Sequence, residues 1–384
     1  MLEWLRWAVL LLALTPFVYC LLVLYSGHRF FSRRSPEPPA DFTPSVSVLK
    51  PVRGLDRDPY LNFASFCRQN YPGEYEILFC VSEENDPAVP VIRQIMRDFP
   101  DRSIRLLVGA ENLGANNKVN KLVRMVREAR YDFLIVSDSD IRVEPYYLTS
   151  IARLFREPSV GAVTCVYRGL AGDSFASELE VMGNSTEFQP GVLVAWLLEG
   201  VKFALGATMA VRRKALEDIG GFEALADHYS DDFETGNRIA AKGWKVELCR
   251  WPIITVFPRQ TLRECFRHQV RWALTTRHSR PWGHVGLIFT FGLPWAIAAS
   301  LVAPSWPIAA GYLGAYAVLR FAVAWQIGVV GLQDDVLKRY LWLLPLRDLF
   351  GLAVWVMSFF TRRIFWRGST FYVRNQRLVP AGRS

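Results

Sequence analysis

Two carboxylates one residue apart, Asp138 and Asp140, end the apolar run in FLIVSDSDIRVEP, Phe133 to Pro145. Like charges this close disfavour each other's ionisation unless something positive lies between them. Residues i and i+2 of a strand point to the same side. The pair can therefore hold a magnesium or manganese ion that keeps positions open for phosphate oxygens. A solvated Asx turn ahead of a helix explains the same two residues, and Asp-x-Asp alone does not choose. Three more stretches pose similar choices. In GANNKVNKL, Lys118 and Lys121 open a helix whose N-terminal amides favour anions. With a metal at Asp140, Lys118 would add charge for a diphosphate; an ordinary exposed basic face fits equally. In HYSDDFETGNRIAAKGW, Asp231 and Asp232 precede an amphipathic helix. One of them caps it, or one is a general base close to an acceptor. In RECFRHQVRWALTTRHSRPW, five arginines and two histidines interleave with Phe266, Val270, Trp272 and Leu274. Such a basic amphipathic helix reads as interfacial, lying on anionic headgroups. It could also turn Arg271 towards a diphosphate.

The elements that must position these residues alternate. SVSVLKP, YEILFCVS, IRLLVG, YDFLIVS and VGAVTCVYRG read as strands. Helical stretches run over about 89–98 and through KVNKLVRMVREAR, where Val119, Leu122, Val123 and Val126 share a face. The expected fold class is α/β, with a Rossmann-like, mostly parallel sheet covered on both faces. Ligands of such sheets bind beyond the carboxyl ends of the strands. Lys50 and Pro51, Glu83 to Asp86, and Asp138 to Asp140 all fall there.

The rest of the chain reads as membrane-associated. Of 384 residues 51% are hydrophobic and 13 are tryptophan, and the net charge is +9. A basic balance suits nucleic acid, an anionic surface or an anionic substrate. Here the basic residues cluster beside apolar spans, which argues against nucleic acid. Trp7 to Tyr25 carries no charge over 19 residues, nearly enough to cross a bilayer. Arg29, Arg33 and Arg34 follow, so a signal anchor with its C-terminal side in the cytoplasm is expected. Segments 285–303 and 307–328 read as a hairpin pair. A third, 340–360, is weaker because Arg347 and Asp348 lie inside it. The six cysteines form no C-x-x-C pair, so reduced thiols are expected. The expected division is an anchor at 1–27, a basic, proline-rich linker at 28–44 and a cytoplasmic catalytic domain at 45–262. An interfacial helix at 263–283, membrane segments at 284–361 and a basic tail at 362–384 follow.

Taken together, the motifs resemble the ceramide glucosyltransferase family, a membrane branch of the inverting glycosyltransferases with the GT-A fold. The likeness runs from about Ser45 to Trp282 through SVLKPVRGLD, NDPAVPVI, VSDSDIRV, YSDDFETG and HQVRW. It implies a UDP-sugar donor, a divalent metal (Mg or Mn) and a membrane lipid acceptor. Lys50, Pro51 and Lys118 would lie with the nucleotide-sugar, and Asp86 would contact the uridine. Asp138 and Asp140 would hold the metal on the diphosphate, and Asp232 would be the catalytic base. Arg271 and Trp272 would line the donor–acceptor cleft, with Asp231 and His268 on the acceptor side. Two positions depart from the family pattern. Asp140 stands where its ceramide enzymes often have Gly, and His268 stands where its (R/Q)-x-x-R-W motif has Arg or Gln. LGATMAVRR and GGFEALADHYSDD also look like a hopanoid-associated bacterial subgroup that transfers N-acetylglucosamine to a polyol lipid. Ceramide is the favoured acceptor, because NNKVNKL is closer to the ceramide enzymes. The expected activity is inverting transfer of a hexose, glucose first, at a bacterial inner membrane. A processive polysaccharide synthase is disfavoured by the small number of apolar segments. An inactive membrane scaffold is disfavoured by the presence of every acidic motif.

Overall fold

A computed structural model describes residues 2–32, 42–361, 363–366, 369–374 and 377–380. Most of the proline-rich linker, at 33–41, lies outside them, as do tail residues 362, 367–368, 375–376 and 381–384. The described residues divide into two compact units. One comprises 42–170, 199–258 and the described part of 363–380; the other comprises 2–32, 171–198 and 259–361.

The first unit is built on β1 (Val46–Pro51), β2 (Tyr75–Val81), β3 (Ser103–Val108), β4 (Phe133–Ser137), β5 (Ile141–Arg142), β6 (Val160–Leu170), β7 (Thr208–Arg212) and β8 (Lys245–Val256). Their order is β3-β2-β1-β4-β7-β6-β8-β5. β1 and β2 are buried along their whole length. Continuous burial is what strands covered on both faces show, and it explains their unbroken apolar runs. β3, β2, β1 and β4 run parallel, as expected. Antiparallel β7 then fits between β4 and β6. The chain builds β1, β2 and β3 outward on one side and returns to lay β4 on the other. That reversal makes a switch point between β1 and β4, the place where ligands of such sheets bind. Leu49 pairs with Val136, so Lys50 and Asp138 leave the sheet side by side.

β7 and β8 are additions to the sequence reading. β8 contains Pro252, which cannot donate to a ladder. The pairing with β6 steps from Cys165–Cys249 to Tyr167–Ile253, and this bulge absorbs the proline. The segment read only as a basic tail also contributes structure. β9 (Arg363–Trp366), β10 (Ser369–Arg374) and β11 (Arg377–Pro380) form a small antiparallel sheet. The Leu378 N–H donates to the Asp227 carbonyl at 2.8 Å, a few residues ahead of Asp231.

In the second unit three helical runs are long and apolar enough to cross a membrane: Glu3–Ser32, Trp306–Gly331 and Asp335–Phe360. A bent pair, Pro281–Thr290 and Gly292–Val302, meets at 52° and would make a fourth crossing. The segment 171–198, placed in the catalytic domain by the sequence reading, packs here instead. Its helices Phe175–Gly183 and Gln189–Glu199 are mainly apolar and are joined by a π-helical turn, Asn184–Phe188.

That turn explains the two charges inside the last apolar run. Arg347 grips Glu187 with two hydrogen bonds of 2.7 Å. Asp348 accepts from Arg320 Nη2 at 2.6 Å and from the Tyr316 hydroxyl at 2.8 Å. Arg320 Nη1 also donates to the Thr186 carbonyl of that turn at 2.7 Å. Two glycines make the space. A Cβ on Gly183 would strike the Arg347 guanidinium, and one on Gly351 would lie 2.8 Å from Glu187 Oε2. Removing one partner of such a pair strands a buried charge. Arg320→Met should therefore destabilise the solubilised protein by about 3–5 kcal/mol. Adding Asp348→Leu should restore much of that loss. Thermal unfolding of the single and double variants in detergent measures both.

Candidate functional site

The switch point between β1 and β4 is organised by two lysines. Lys50 closes β1 and is fully buried. Its Nζ donates to the Asp138 carbonyl at 2.9 Å and lies 3.8 Å from the centre of the Phe66 ring. Burial pulls its pKa down to about 7, against the opposing charges of Asp138, Asp140 and Asp56. Pro51 is buried beside it. Lys118 belongs to the first turn of the helix Asn117–Glu128. Asn116 caps that helix, accepting from the N–H groups of Lys118 and Val119 at 3.0 and 3.3 Å. The Asn116 amide also donates to the His228 carbonyl and to Asp231 Oδ1, at 2.9 and 3.3 Å. One side chain thus ties the helix start to the loop ahead of Asp232.

Lys118 Nζ lies 2.7 Å from Asp138 Oδ1 and 3.8 Å from Asp231 Oδ2. Burial by itself would lower its pKa. Asp138, Asp231 and Asp232 outweigh that effect and raise it well above the ordinary lysine range. The exposed-face reading of this helix does not hold: the Lys118 side chain is 16% exposed and Lys121 is buried. The capping reading of Asp231 fails as well. Ser230 holds the N-cap position, while Asp231 is buried and its Oδ2 has no hydrogen-bond partner.

Asp232 begins the same helix, Asp231–Ala241. Desolvation and then Asp231 push its pKa up to about 6; Lys118 and the Phe233 N–H pull the other way. A carboxyl tuned towards neutral pH is suited to taking a proton. Gly206 faces it: a Cβ there would lie 2.8 Å from Asp232 Oδ2. The adjoining Ala207 carbonyl accepts from the Asp138 N–H at 3.4 Å. The Leu205-to-Thr208 turn therefore touches both Asp138 and Asp232. Neither Gly206 nor Asn116 was singled out from sequence; a glycine just ahead of a strand was the one available signal.

The Asp140 carbonyl accepts from the Val256 N–H at 2.9 Å, fixing the turn after β4 to the end of β8. Ser139, between the two aspartates, is buried and bonded to Asp56. Among the described residues no three His, Cys, Asp or Glu side chains gather to cage a metal ion. The donor set at the end of β4 is two carboxylates, one of them already against Lys118. That suits a magnesium or manganese ion that takes one or two carboxylates and completes its shell with phosphate oxygens and water. Asp86 is engaged with backbone. It accepts from Gly54 N–H at 3.0 and 3.1 Å and from Ala88 N–H at 2.9 Å. It clamps the loop after β1 to the start of the helix Val89–Asp98, which follows β2.

The structure thus brings Lys50, Lys118, Asp138, Asp231 and Asp232 together in the sheet unit. His268, Arg271 and Trp272 belong to the other unit, on the helix Leu262–Ser279. A capping box of Thr261 and Glu264 starts that helix. His268 Nδ1 is 2.6 Å from Glu180 Oε1, and its ring centre is 4.6 Å from that of Trp272.

Comparison with known proteins agrees with this architecture. Ceramide glucosyltransferase 1 of Caenorhabditis elegans is 27% identical over 256 residues, 66% of this chain and 54% of that protein. The ceramide glucosyltransferase of Komagataella phaffii is 33% identical over 141 residues, 35% of this chain and 28% of that one. The chain spans about half the length, or less, of these curated relatives. A solved mannosyltransferase of Pyrobaculum calidifontis, in complex with GDP-Man and Mn2+, shares the fold at 20% identity with a TM-score of 0.53. The alignment covers 94% of this chain and 99% of that one. The family description "Glycosyl transferase family 21" matches residues 5–379. With nearly its whole length matched, the chain belongs to glycosyl transferase family 21.

Proposed function

We propose that this protein transfers a hexose, glucose first, from a UDP-sugar to the primary hydroxyl of a membrane lipid, with inversion. Ceramide is the favoured acceptor. The observation that carries the reading is the cluster at the β1–β4 switch point: Lys118 held against Asp138, beside an Asp232 carboxyl tuned towards neutral pH. The family and the curated ceramide glucosyltransferases support the lipid acceptor. The helices long enough to cross a bilayer suit an acceptor that stays in it.

In this mechanism Asp138 and Asp140 would hold a divalent ion, whose charge would offset that developing on the leaving diphosphate. Lys118 keeps Asp138 placed and adds positive charge at a helix N-terminus, where anions are favoured. Lys50 braces the Asp138 backbone from beneath. Asp86 fixes the loop after β1 and, by the family likeness, stands near the uridine. Asp232 takes the hydroxyl proton as the oxygen attacks, and Asp231, buried behind it, sustains its basicity. Arg271 and Trp272 retain the roles that their motif implies. The catalytic unit is placed on the cytoplasmic side because Arg29 and the arginines after it follow the first apolar run.

Asp232→Asn should cut lipid glycosylation by roughly a hundred- to ten-thousand-fold while UDP-sugar binding persists. Near-normal turnover by that variant would remove Asp232 as the base. A chelator should abolish transfer of radiolabelled sugar, with recovery on adding Mg or Mn. Mass spectrometry of the products names sugar and lipid, and polymer in place of a monoglycosylated lipid would overturn the reading.

The pH dependence has a defined sign. Asp232 acts ionised and its pKa is raised to about 6, so kcat/KM should rise as pH climbs through that value. An ordinary carboxylate would give the rise near 4. Gly206→Ala should lower kcat with little change in thermal stability, because its methyl group would meet Asp232 Oδ2. A rate equal to wild type would show that this turn does not position the base.

A further inference from the structure

The segment Ala226–His228, just ahead of Asp231, is held by two other parts of the sheet unit. The start of the helix Asn117–Glu128 is one. The Ala226 carbonyl accepts from the Asn116 N–H at 2.8 Å, and the His228 carbonyl accepts from the Asn116 amide at 2.9 Å. Asp227 Oδ1 accepts from the Ala115 N–H at 2.9 Å. Gly114 permits this approach, since a Cβ there would lie 2.5 Å from the Ala226 carbonyl oxygen. The tail strand β11 is the other. His228 pairs with Arg377 in an antiparallel bridge, and the Asp227 carbonyl accepts from the Leu378 N–H at 2.8 Å.

β11 is an edge strand of its three-stranded sheet. An edge offers backbone N–H and C=O groups to another segment, and residues 227 and 228 take that place. The Leu378 side chain is buried, while its N–H turns to Asp227 and not to β10. The hold then passes through the His228 side chain. Its Nε2 accepts from Arg238 Nη2 at 2.9 Å, and Arg238 Nε donates to Glu234 Oε2 at 3.0 Å. Arg238 and Glu234 are on the helix that Asp231 and Asp232 begin. The last strand of the chain is thus bonded to the segment that fixes the start of that helix.

We propose that β11 is a positioning element for proton transfer: the Leu378 N–H, acting through the Asp227 carbonyl and His228, sets where Asp232 stands. This rests on the reading of Asp232 as the base and adds to it the element that holds the base in place. It also gives the tail a part that its charge did not suggest. The contact is made by backbone, so residue 378 acts through its N–H.

The test is steady-state kinetics of the full chain in lipid vesicles, with UDP-sugar binding measured by calorimetry and folding by thermal unfolding in detergent. Leu378→Pro removes the N–H at an edge position, where proline is tolerated. It should lower kcat roughly ten- to a hundredfold, the scale of a small misplacement of a catalytic group. UDP-sugar Kd should stay within about threefold, because only transition-state placement is lost. Leu378→Val keeps the N–H and an apolar side chain and should turn over within about twofold of wild type. His228→Ala cuts the link to Arg238 and should lower kcat in the same sense, which keeps the test open if Leu378→Pro does not fold. The proposal is overturned if kcat is unchanged in Leu378→Pro, or in His228→Ala where that variant alone folds. It is equally overturned if Leu378→Val loses as much as Leu378→Pro, since the side chain and not the N–H would then matter, or if UDP-sugar binding is lost in place of kcat. A wild-type chain that glycosylates no lipid overturns the function before any variant is compared. A wild-type rate from Asp232→Asn overturns the base, and this role with it.

Discussion

The contact between Lys118 and Asp138 ties two distant parts of the chain to one cation, and the geometry of the sheet unit depends on it. Asp138 ends β4, and Asp231 and Asp232 begin a helix more than ninety residues later. Three carboxylates brought this close would repel one another away from water. An ammonium at 2.7 Å from one and 3.8 Å from another removes that penalty. Asn116 places the lysine by capping its helix while bonding Asp231 and the His228 carbonyl. The same arrangement accounts for the unequal aspartates. Asp138 is bonded to the lysine, whereas Asp232 answers mainly to its own desolvation and to Asp231, and its pKa rises.

A related constraint governs the apolar unit. Charges among apolar helices persist when they are paired. Arg347 and Asp348 are adjacent in sequence yet face different partners, Glu187 and Arg320. The partners come from a π-helical turn and from the helix Trp306–Val323. Gly183 and Gly351 leave the room that this requires. Glu180 follows the same rule one turn earlier, with Gln260 and His268 on its two oxygens.

The parts legible in sequence were those with a strong local period. β1 to β4 and the helix Asn117–Glu128 announce themselves by apolar runs and a 3.6-residue pattern. The long apolar segments did the same. β8 was not legible because Pro252 interrupts it and a bulge repairs the interruption. The segment 171–198 was misplaced because apolar helices look alike whether they cover a sheet or join other apolar helices. The tail was read by its charge, although its alternation also suits the strands it forms.

For the site, the sequence by itself determined which groups are available: two aspartates beyond β4, two before a helix, lysines at a helix start and HQVRW on an amphipathic helix. These follow from residue type and spacing, which are local. It could not say whether Asp231 caps its helix, or whether Lys118 and Lys121 lie on an exposed or a buried face. It gave no hint of Glu180 as the partner of His268. The tertiary structure decided these, because the partner of a charge is set by strand order and helix packing across 88 residues for His268 and Glu180 and 112 for Asn116 and His228. A carboxylate's role depends on the cation and the water it meets, and no local pattern records either.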